Sequence, residues 1–118
     1  MKTITINTSR DDYVKLYLRL WNGVLNLTQG ELDTLEEIIK KYLTITSSGV
    51  KEPFSWELTF STGSRKEYQS ILNFTQQQFN NFFKQLRDKG IILSKDNGYS
   101  IDPRVLPVDI ITFQFKIQ

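Results

Sequence analysis

The side chains that most often carry acid–base or nucleophilic chemistry are scarce in this sequence. It has no histidine and no cysteine, which removes the commonest general base, the commonest zinc ligand and the thiolate nucleophile. Carboxylates remain, but Asp11–Asp12 and Glu36–Glu37 are adjacent pairs, and neighbouring residues on a helix point to different sides. We therefore expect a protein that is not an enzyme and that uses no metal and no cofactor.

The residues best suited to hydrogen bonding cluster instead in an amide-rich segment, residues 76–85. If residues 76–89 form a helix, its turn of about 100° per residue gives it one apolar face. That face consists of Phe79, Phe82, Phe83 and Leu86. The opposite face consists of Gln77, Asn81, Lys84 and Asp88, flanked by Gln78, Asn80 and Gln85. The helix is therefore expected to be apolar inward and amide-rich outward.

Four helix starts are indicated by a Ser or Thr followed three residues later by an acid or amide, a pair that satisfies free backbone N–H groups. The four cap residues are Ser9, Thr28, Ser64 and Thr75. The corresponding helices are predicted over residues 10–23, 29–43, 65–72 and 76–89. Two starts also carry an apolar pair across the cap, which strengthens both predictions. These pairs are Leu27 with Leu32 and Phe74 with Phe79.

The first predicted helix has a wide apolar arc. Its main apolar side consists of Tyr13, Leu16, Tyr17, Leu20 and Trp21, and Val14 and Leu18 widen the arc. Two interpretations are open: a central core helix, or a helix that also forms a subunit interface through Val14, Leu18 and Trp21. The second helix has an ordinary single face, typical of a scaffold element. That face consists of Leu32, Leu35, Ile39, Tyr42 and Leu43.

Apolar residues alternate with polar ones in three further segments, which is typical of strands with one buried face. The first segment contains Phe54, Trp56, Leu58 and Phe60. The last contains Ile111, Phe113, Phe115 and Ile117, and a brief one near the N-terminus contains Ile4 and Ile6. We expect the terminal strands to form a small additional sheet.

A short connection joins the third and fourth predicted helices. It consists of residues 73–75, and a three-residue turn is what a helix-turn-helix uses. Asn73 tolerates the left-handed backbone that such a turn often needs. Gly90 favours the end of the fourth helix, and Asn97–Gly98 between apolar-bearing runs predicts a β-hairpin. A helix-turn-helix at about 64–90 is therefore expected, followed by a hairpin at 91–102.

The stretch LNFTQQQFNNFFKQLRDKGII, in which a helix ends in Leu-x-x-x-Gly-Ile and runs into the hairpin, resembles part of a known fold. Residues 64–103, about a third of the chain, resemble the winged-helix domains of bacterial and phage transcription regulators and plasmid replication initiators. The resemblance implies a single α+β domain over residues 1–118. In that domain a winged helix-turn-helix carries the hairpin as its wing, and the terminal strands are additions.

In such domains the recognition helix lies in the DNA major groove, and the wing touches the backbone or the minor groove. The resemblance then implies a groove-facing set, Gln77, Asn81 and Lys84, with Gln76, Gln78 and Asn80 near the rim. It implies a phosphate-contacting set as well, Arg65, Lys66, Lys95 and Asn97. Glutamine and asparagine can pair with adenine through two hydrogen bonds, and lysine can donate to guanine or phosphate. Asp88 and Asp96 depart from the pattern, since each would repel phosphate.

The charge of the chain leaves two functions open. A formal net charge of +2 permits nucleic-acid binding without demanding it, and winged helices also serve as protein-interaction modules. The favoured prediction is a sequence-dependent double-stranded DNA binder in transcription or replication control. The alternative is a structural or adaptor protein, such as a virion component, that uses the same shape and its aromatic strands. A homodimer or a larger assembly is expected in either case.

Composition indicates the setting of the protein. The sequence has no alanine and is rich in Ile, Lys and Asn, as an AT-rich genome would encode, which favours a phage, a mobile element or an AT-rich bacterium. There is no cysteine, no apolar run of membrane-spanning length and no apolar signal segment after Met1. A cytoplasmic location without membrane attachment is therefore expected.

Overall fold

The computed structural model describes residues 10–95 and 98–106, and within these ranges the chain is mostly helical with one antiparallel hairpin. The helices are α1 (Arg10–Leu25), α2 (Gln29–Ser47), α3 (Phe54–Thr59), α4 (Thr62–Leu72) and α5 (Gln76–Asp88), and the strands are β1 (Ile92–Lys95) and β2 (Gly98–Ile101). A 3-10 turn, Pro103–Val105, follows β2. The predicted α+β class is confirmed, whereas the strands predicted at the two termini lie outside the described residues.

Helix α2 lies at the centre of the core. It packs against α1, α3, α4 and α5, and the side chains of Leu35, Ile38 and Ile39 are completely buried. Burying one such side chain contributes roughly 1.5–3 kcal/mol relative to leaving it exposed. The apolar face predicted for this helix is buried throughout. Every other helix is therefore oriented by its contact with α2.

Both ends of α2 follow from local hydrogen bonds. Glu31 N–H donates to Thr28 Oγ1 (3.4 Å) and Thr28 N–H donates to Glu31 Oε1 (2.8 Å), which confirms the predicted capping box. The helix continues to Ser47, one turn past the predicted end at residue 43. In this last turn the hydroxyls of Thr44 and Ser47 donate to backbone carbonyls one turn back, at 2.9 and 2.7 Å, an arrangement that a continuing helix accommodates.

Helix α1 buries a different face from the one predicted. Val14 and Leu18 are 0% and 1% exposed and, with the buried Tyr17, belong to the core beside α2. Leu16 and Leu20 were expected to point inward, but they are exposed, Leu20 by 74%. The apolar arc is wider than one helix face, so periodicity alone cannot select the side that packs. The placement of Val14 and Leu18 also removes them from any surface that a second subunit could touch.

The strand predicted from Phe54 to Phe60 is wrong, because this segment forms the short helix α3. The alternating apolar residues fall on two sides of a helix, since residues four apart share a face. Phe54 and Leu58 are exposed, whereas Trp56 and Phe60 pack on the core. The Trp56 ring stacks on Tyr42 of α2, with centroids 3.8 Å apart. This contact favours the helix. Because it joins residues that are distant in sequence, the local alternation of apolar and polar residues does not predict it.

Helix α4 begins three residues before its predicted start. Its N-cap is Ser61, whose Oγ accepts from Ser64 N–H (3.2 Å), and not Ser64 itself. Ser64 is buried in the first turn, where its hydroxyl donates to the Leu58 carbonyl (2.6 Å). Further along α4, the buried Tyr68 hydroxyl donates to the Thr59 carbonyl (2.6 Å). These two bonds fasten α4 to α3.

The connection from α4 through α5 to the hairpin follows the prediction closely. Asn73 is left-handed (φ 57°), Thr75 and Gln78 form a capping box at the start of α5, and Gly90 has a positive φ (77°). In the hairpin, Lys95 pairs with Gly98. The hairpin is confirmed, whereas Asn97 of the predicted Asn97–Gly98 turn lies outside the described residues.

Candidate functional site

Helix α5 separates an apolar face from a polar one, as its sequence predicts. Phe79, Phe83 and Leu86 are buried in the core, and Phe82 is half-buried. All the predicted base-reading and rim residues are exposed, namely Gln76, Gln77, Gln78, Asn80, Asn81 and Lys84. Of these, Gln78 is committed to the helix cap, since its Oε1 accepts from Thr75 N–H (2.9 Å). The remaining amides present donors and acceptors together on one surface.

The middle of α5 is held against the start of α2 by a close aromatic contact. Gly30, in the first turn of α2, lies directly against the Phe82 ring, so that a Cβ at position 30 would overlap the ring atoms. The same ring packs on Phe74, with centroids 5.2 Å apart. A side chain larger than that of glycine at position 30 would therefore require the Phe82 ring to move.

Gly30→Ala is expected to lower the free energy of unfolding by about 1–3 kcal/mol, because the added methyl displaces a packed ring. Urea denaturation followed by circular dichroism measures the change. Gly63→Ala is the matched control, since a Cβ at that position in α4 meets nothing within 4 Å. Alanine should be neutral or stabilising there. Equal losses in the two variants would contradict the assigned contact.

The end of α5 is held by a buried carboxylate. Glu31 is 1% exposed, and its carboxylate accepts a hydrogen bond from Lys89 Nζ (2.7 Å). Lys89 is the C-cap residue of α5, and its Nζ also donates to the Asn26 carbonyl (3.2 Å). Burial alone would raise the pKa of the Glu31 carboxyl. The hydrogen bonds from Lys89 and Thr28, together with the Lys89 charge, outweigh burial and lower that pKa below its usual value. One carboxylate therefore caps α2 and anchors α5.

Two arginines share a pair of aromatic rings at the junction of α4, α5 and the hairpin. Phe83 and Tyr99 meet edge to face, with centroids 5.0 Å apart. The Arg65 Cζ lies 5.0 Å and 5.3 Å from these two centroids, and the Arg87 Cζ lies 5.7 Å and 5.9 Å from them. Arg65 Nε also donates to the Phe60 carbonyl (3.0 Å). Both guanidinium groups are within the range of cation–π attraction.

Sequence reasoning identified Arg65 and missed Arg87. The signal for Arg87 is its position four residues after Phe83 on a predicted helix, a spacing that brings side chains into contact. Lys66 is exposed on α4, as expected for a phosphate contact, and Asp88 is exposed at the end of α5. The structure does not describe the side chains of Lys95 and Trp21, nor residue Asn97.

The α4–α5 surface carries cations that have no acidic partner. Within the described ranges, four cations of this surface have no carboxylate within 4 Å: Arg65, Lys66, Lys84 and Arg87. Other lysines and one arginine of the described chain do form ion pairs. Those paired residues are Lys40, Lys41, Lys89 and Arg104. The nearest counter-charge on α4, Glu67, is itself paired with Lys41 (2.9 Å). Asp88, exposed at the end of α5, offsets one of these charges, and the four cations leave the surface positive on balance.

A cleft of about 680 Å³ opens between α3 and the hairpin, below Arg65. Its lining includes three aromatic residues, Trp56, Phe60 and Tyr99, and two acidic ones, Glu52 and Glu57. Glu52 has a structural role, because its Oε1 accepts a hydrogen bond from Trp56 Nε1 (2.7 Å). Of the three rings that line the cleft, Tyr99 is the one that also contacts the Arg65 guanidinium.

Comparisons of this chain with protein-family models, with curated proteins and with solved structures gave no match. Helices long and apolar enough to cross a membrane were not found in the described ranges.

Proposed function

We propose that this chain is a non-enzymatic winged-helix protein that binds double-stranded DNA in the control of transcription or replication. In this assignment α4 and α5 form the helix-turn-helix, α5 is the recognition helix, and the β1–β2 hairpin is the wing. The observation that carries it is the exposed face of α5, where exposed amides surround Lys84, which has no carboxylate within 4 Å among the described residues. A cytoplasmic setting and a phage or mobile-element origin accord with the composition of the chain.

The chemistry of the α5 face suits base recognition. An α-helix fits the major groove of B-form DNA, where Gln and Asn side chains can contact adenine through two hydrogen bonds. Gln77 and Asn81 lie one turn apart on that face, and Lys84 follows within the next turn. Lys66 on α4 is placed to contact the backbone and so to fix the register of the helix.

Binding to a fluorescein-labelled duplex is expected to weaken steeply as salt rises, because each phosphate contact releases counterions. If two to four phosphates are contacted, affinity should fall roughly 10- to 100-fold between about 50 and 200 mM salt. Fluorescence anisotropy measures this. Lys84→Ala should weaken binding to all duplexes and reduce the salt slope by about one, whereas Asn81→Ala should relax base preference by about 1–3 kcal/mol.

Lys15→Ala is the matched control for these variants, because Lys15 is exposed on α1, away from the proposed surface. Base preference is read by selecting sites from a random duplex library with the wild-type chain and with Asn81→Ala. Binding that is unchanged in both the Lys84 and the Asn81 variants would place the contact surface elsewhere and overturn the assignment of α5.

A second candidate function is protein assembly, and the exposed Leu16 and Leu20 of α1 favour it. A soluble domain gains by covering such residues. Exposure of Trp56 would also favour it, but Trp56 is half-buried and stacks on Tyr42. Self-association in sedimentation experiments, without salt-dependent DNA binding, would favour this candidate over the first.

A further inference from the structure

We propose that Phe83 and Tyr99 hold Arg65 and Arg87 as a pair of phosphate-binding guanidinium groups at the junction of α5 and the hairpin. This inference rests on the DNA-binding function proposed above and extends it. It adds Arg87 to the binding surface and assigns the two rings the role of positioning residues. The ligand is the phosphodiester group of the nucleic-acid backbone.

The geometry leaves the hydrogen-bonding edges of both guanidinium groups available. Each Cζ lies within 6 Å of both ring centroids, so the rings engage the groups by cation–π attraction. Arg65 uses Nε for the Phe60 carbonyl, and no hydrogen bond from its terminal nitrogens, or from any guanidinium nitrogen of Arg87, is formed to the described part of the chain. A planar guanidinium fork is well suited to phosphate oxygens.

The positions of the two arginines suit a ligand that spans two elements. Arg65 belongs to α4, Arg87 lies in the last turn of α5, and Tyr99 belongs to β2. A nucleic-acid backbone that follows the outward face of α5 toward the hairpin would pass this junction. The rings restrict the two long side chains before binding, so less conformational entropy is lost when phosphate is bound.

The arginine pair accounts for how an overall charge of only +2 could support binding to a polyanion. Neither group has an acidic partner within 4 Å among the residues described, whereas Arg104 is neutralised by Asp102 (2.7 Å). Local charge at the contact surface, and not net charge, determines the electrostatic attraction there.

Arg87→Gln and Arg65→Gln are expected to test the pair directly in the full chain, with Arg19→Gln as the control. Arg19 is exposed on α1, which contributes no residue to the junction, and undergoes the same loss of charge. Each test variant should weaken binding to the labelled duplex about three- to tenfold and reduce the salt slope by about 0.9, the value for one phosphate contact. The control should change neither quantity. Arg87→Lys should keep the slope but recover only part of the affinity, because lysine lacks the fork.

Tyr99→Leu and Tyr99→Phe test the positioning role of the ring. Tyr99→Leu keeps both charges and should still weaken binding about threefold, since the guanidinium groups lose a ring that orders them. Tyr99→Phe keeps the ring and should bind like the wild type. Circular dichroism melting confirms that each variant is folded. Wild-type binding by Tyr99→Leu would overturn the positioning role.

The outcomes separate this inference from the proposed function. If the wild-type chain binds DNA but Arg87→Gln and Arg65→Gln match it in affinity and slope, the arginine pair is overturned and the DNA function stands. If the wild-type chain binds no duplex, the DNA function fails, and inorganic pyrophosphate is titrated while the arginine Nε–Hε NMR signals are followed. Saturable shifts at Arg65 and Arg87, absent at Arg19, would support the anion site alone. Unshifted signals would overturn both.

Discussion

Replacing Glu31 with alanine is expected to lower the free energy of unfolding by about 2–4 kcal/mol. The variant removes the acceptor for Thr28 N–H at the start of α2 and the partner of Lys89 at the end of α5. Breaking a fully buried ion pair costs about 3–5 kcal/mol, and the part-exposure of Lys89 reduces that figure here. Because domains are stable by only about 5–15 kcal/mol, urea denaturation should detect the loss readily.

Glu31→Gln separates the two roles of this carboxylate. The amide keeps the size of the side chain and an acceptor for the cap, but loses the charge that faces Lys89, so about half of the alanine effect is expected. Asp33→Asn is the control, because Asp33 lies in the same turn of α2 and accepts a hydrogen bond from the neutral Gln29 side chain (2.7 Å) in place of a cation. A loss in Asp33→Asn equal to that in Glu31→Gln would contradict the special role of Glu31.

The Glu31 contribution should also depend on pH in a defined direction. Its pKa is lowered in the folded state from an ordinary value of 4.5. The ionised, paired form therefore stabilises the fold fully above about pH 4.5, and this contribution is lost as pH falls through the lowered pKa. The difference in stability between the wild type and Glu31→Gln should accordingly be largest near neutral pH and shrink on acidification. A difference that grows at low pH would contradict the direction of the shift.

Replacing Phe83 with alanine is expected to lower the free energy of unfolding by about 3–5 kcal/mol. The buried ring meets Phe60 edge-on at 5.8 Å and Tyr99 at 5.0 Å, so its removal opens a cavity at the centre of the aromatic cluster. It also removes the ring beside Arg65 and Arg87. DNA binding measured on any remaining folded protein should therefore be weakened too.

Phe83→Leu and Phe82→Ala distinguish packing from positioning. Phe83→Leu retains most of the apolar volume and should cost less than about 2 kcal/mol, yet it should still weaken DNA binding because the ring is gone. Phe82→Ala removes a half-buried ring that contacts Phe74 and Gly30, and not the arginines, so it should destabilise the fold with little effect on DNA affinity. Wild-type DNA affinity in folded Phe83→Leu would show that the Phe83 ring serves stability alone.

The parts of the fold that local chemistry determines were predictable from sequence. The capping boxes at Thr28 and Thr75, the left-handed Asn73 and the positive φ of Gly90 depend on residues within a few positions of one another. The buried face of α5 follows from a strict helical period. These features locate α2, α5 and the hairpin with no knowledge of the remaining contacts.

The features that were not predictable depend on contacts between distant parts of the chain. The six-residue helix α3 is held by a stack between Trp56 and Tyr42, which alternation of apolar residues cannot reveal. The inward face of α1 is selected by α2 from an arc in which nearly every position is apolar. The Glu31–Lys89 bond joins residues 58 positions apart, and the arginine pair needs a ring supplied by the hairpin.

The division of α5 into two faces makes its surface open to redesign and to evolutionary drift. The residues that hold the helix, Phe79, Phe83 and Leu86, share no position with the outward residues Gln77 and Asn81. A combinatorial library at the outward positions would therefore leave the scaffold unaltered, and lineages carrying this chain could acquire new specificities at little cost in stability. Gln78 is the exception and should be held constant in such a library, because it is exposed and yet closes the helix cap.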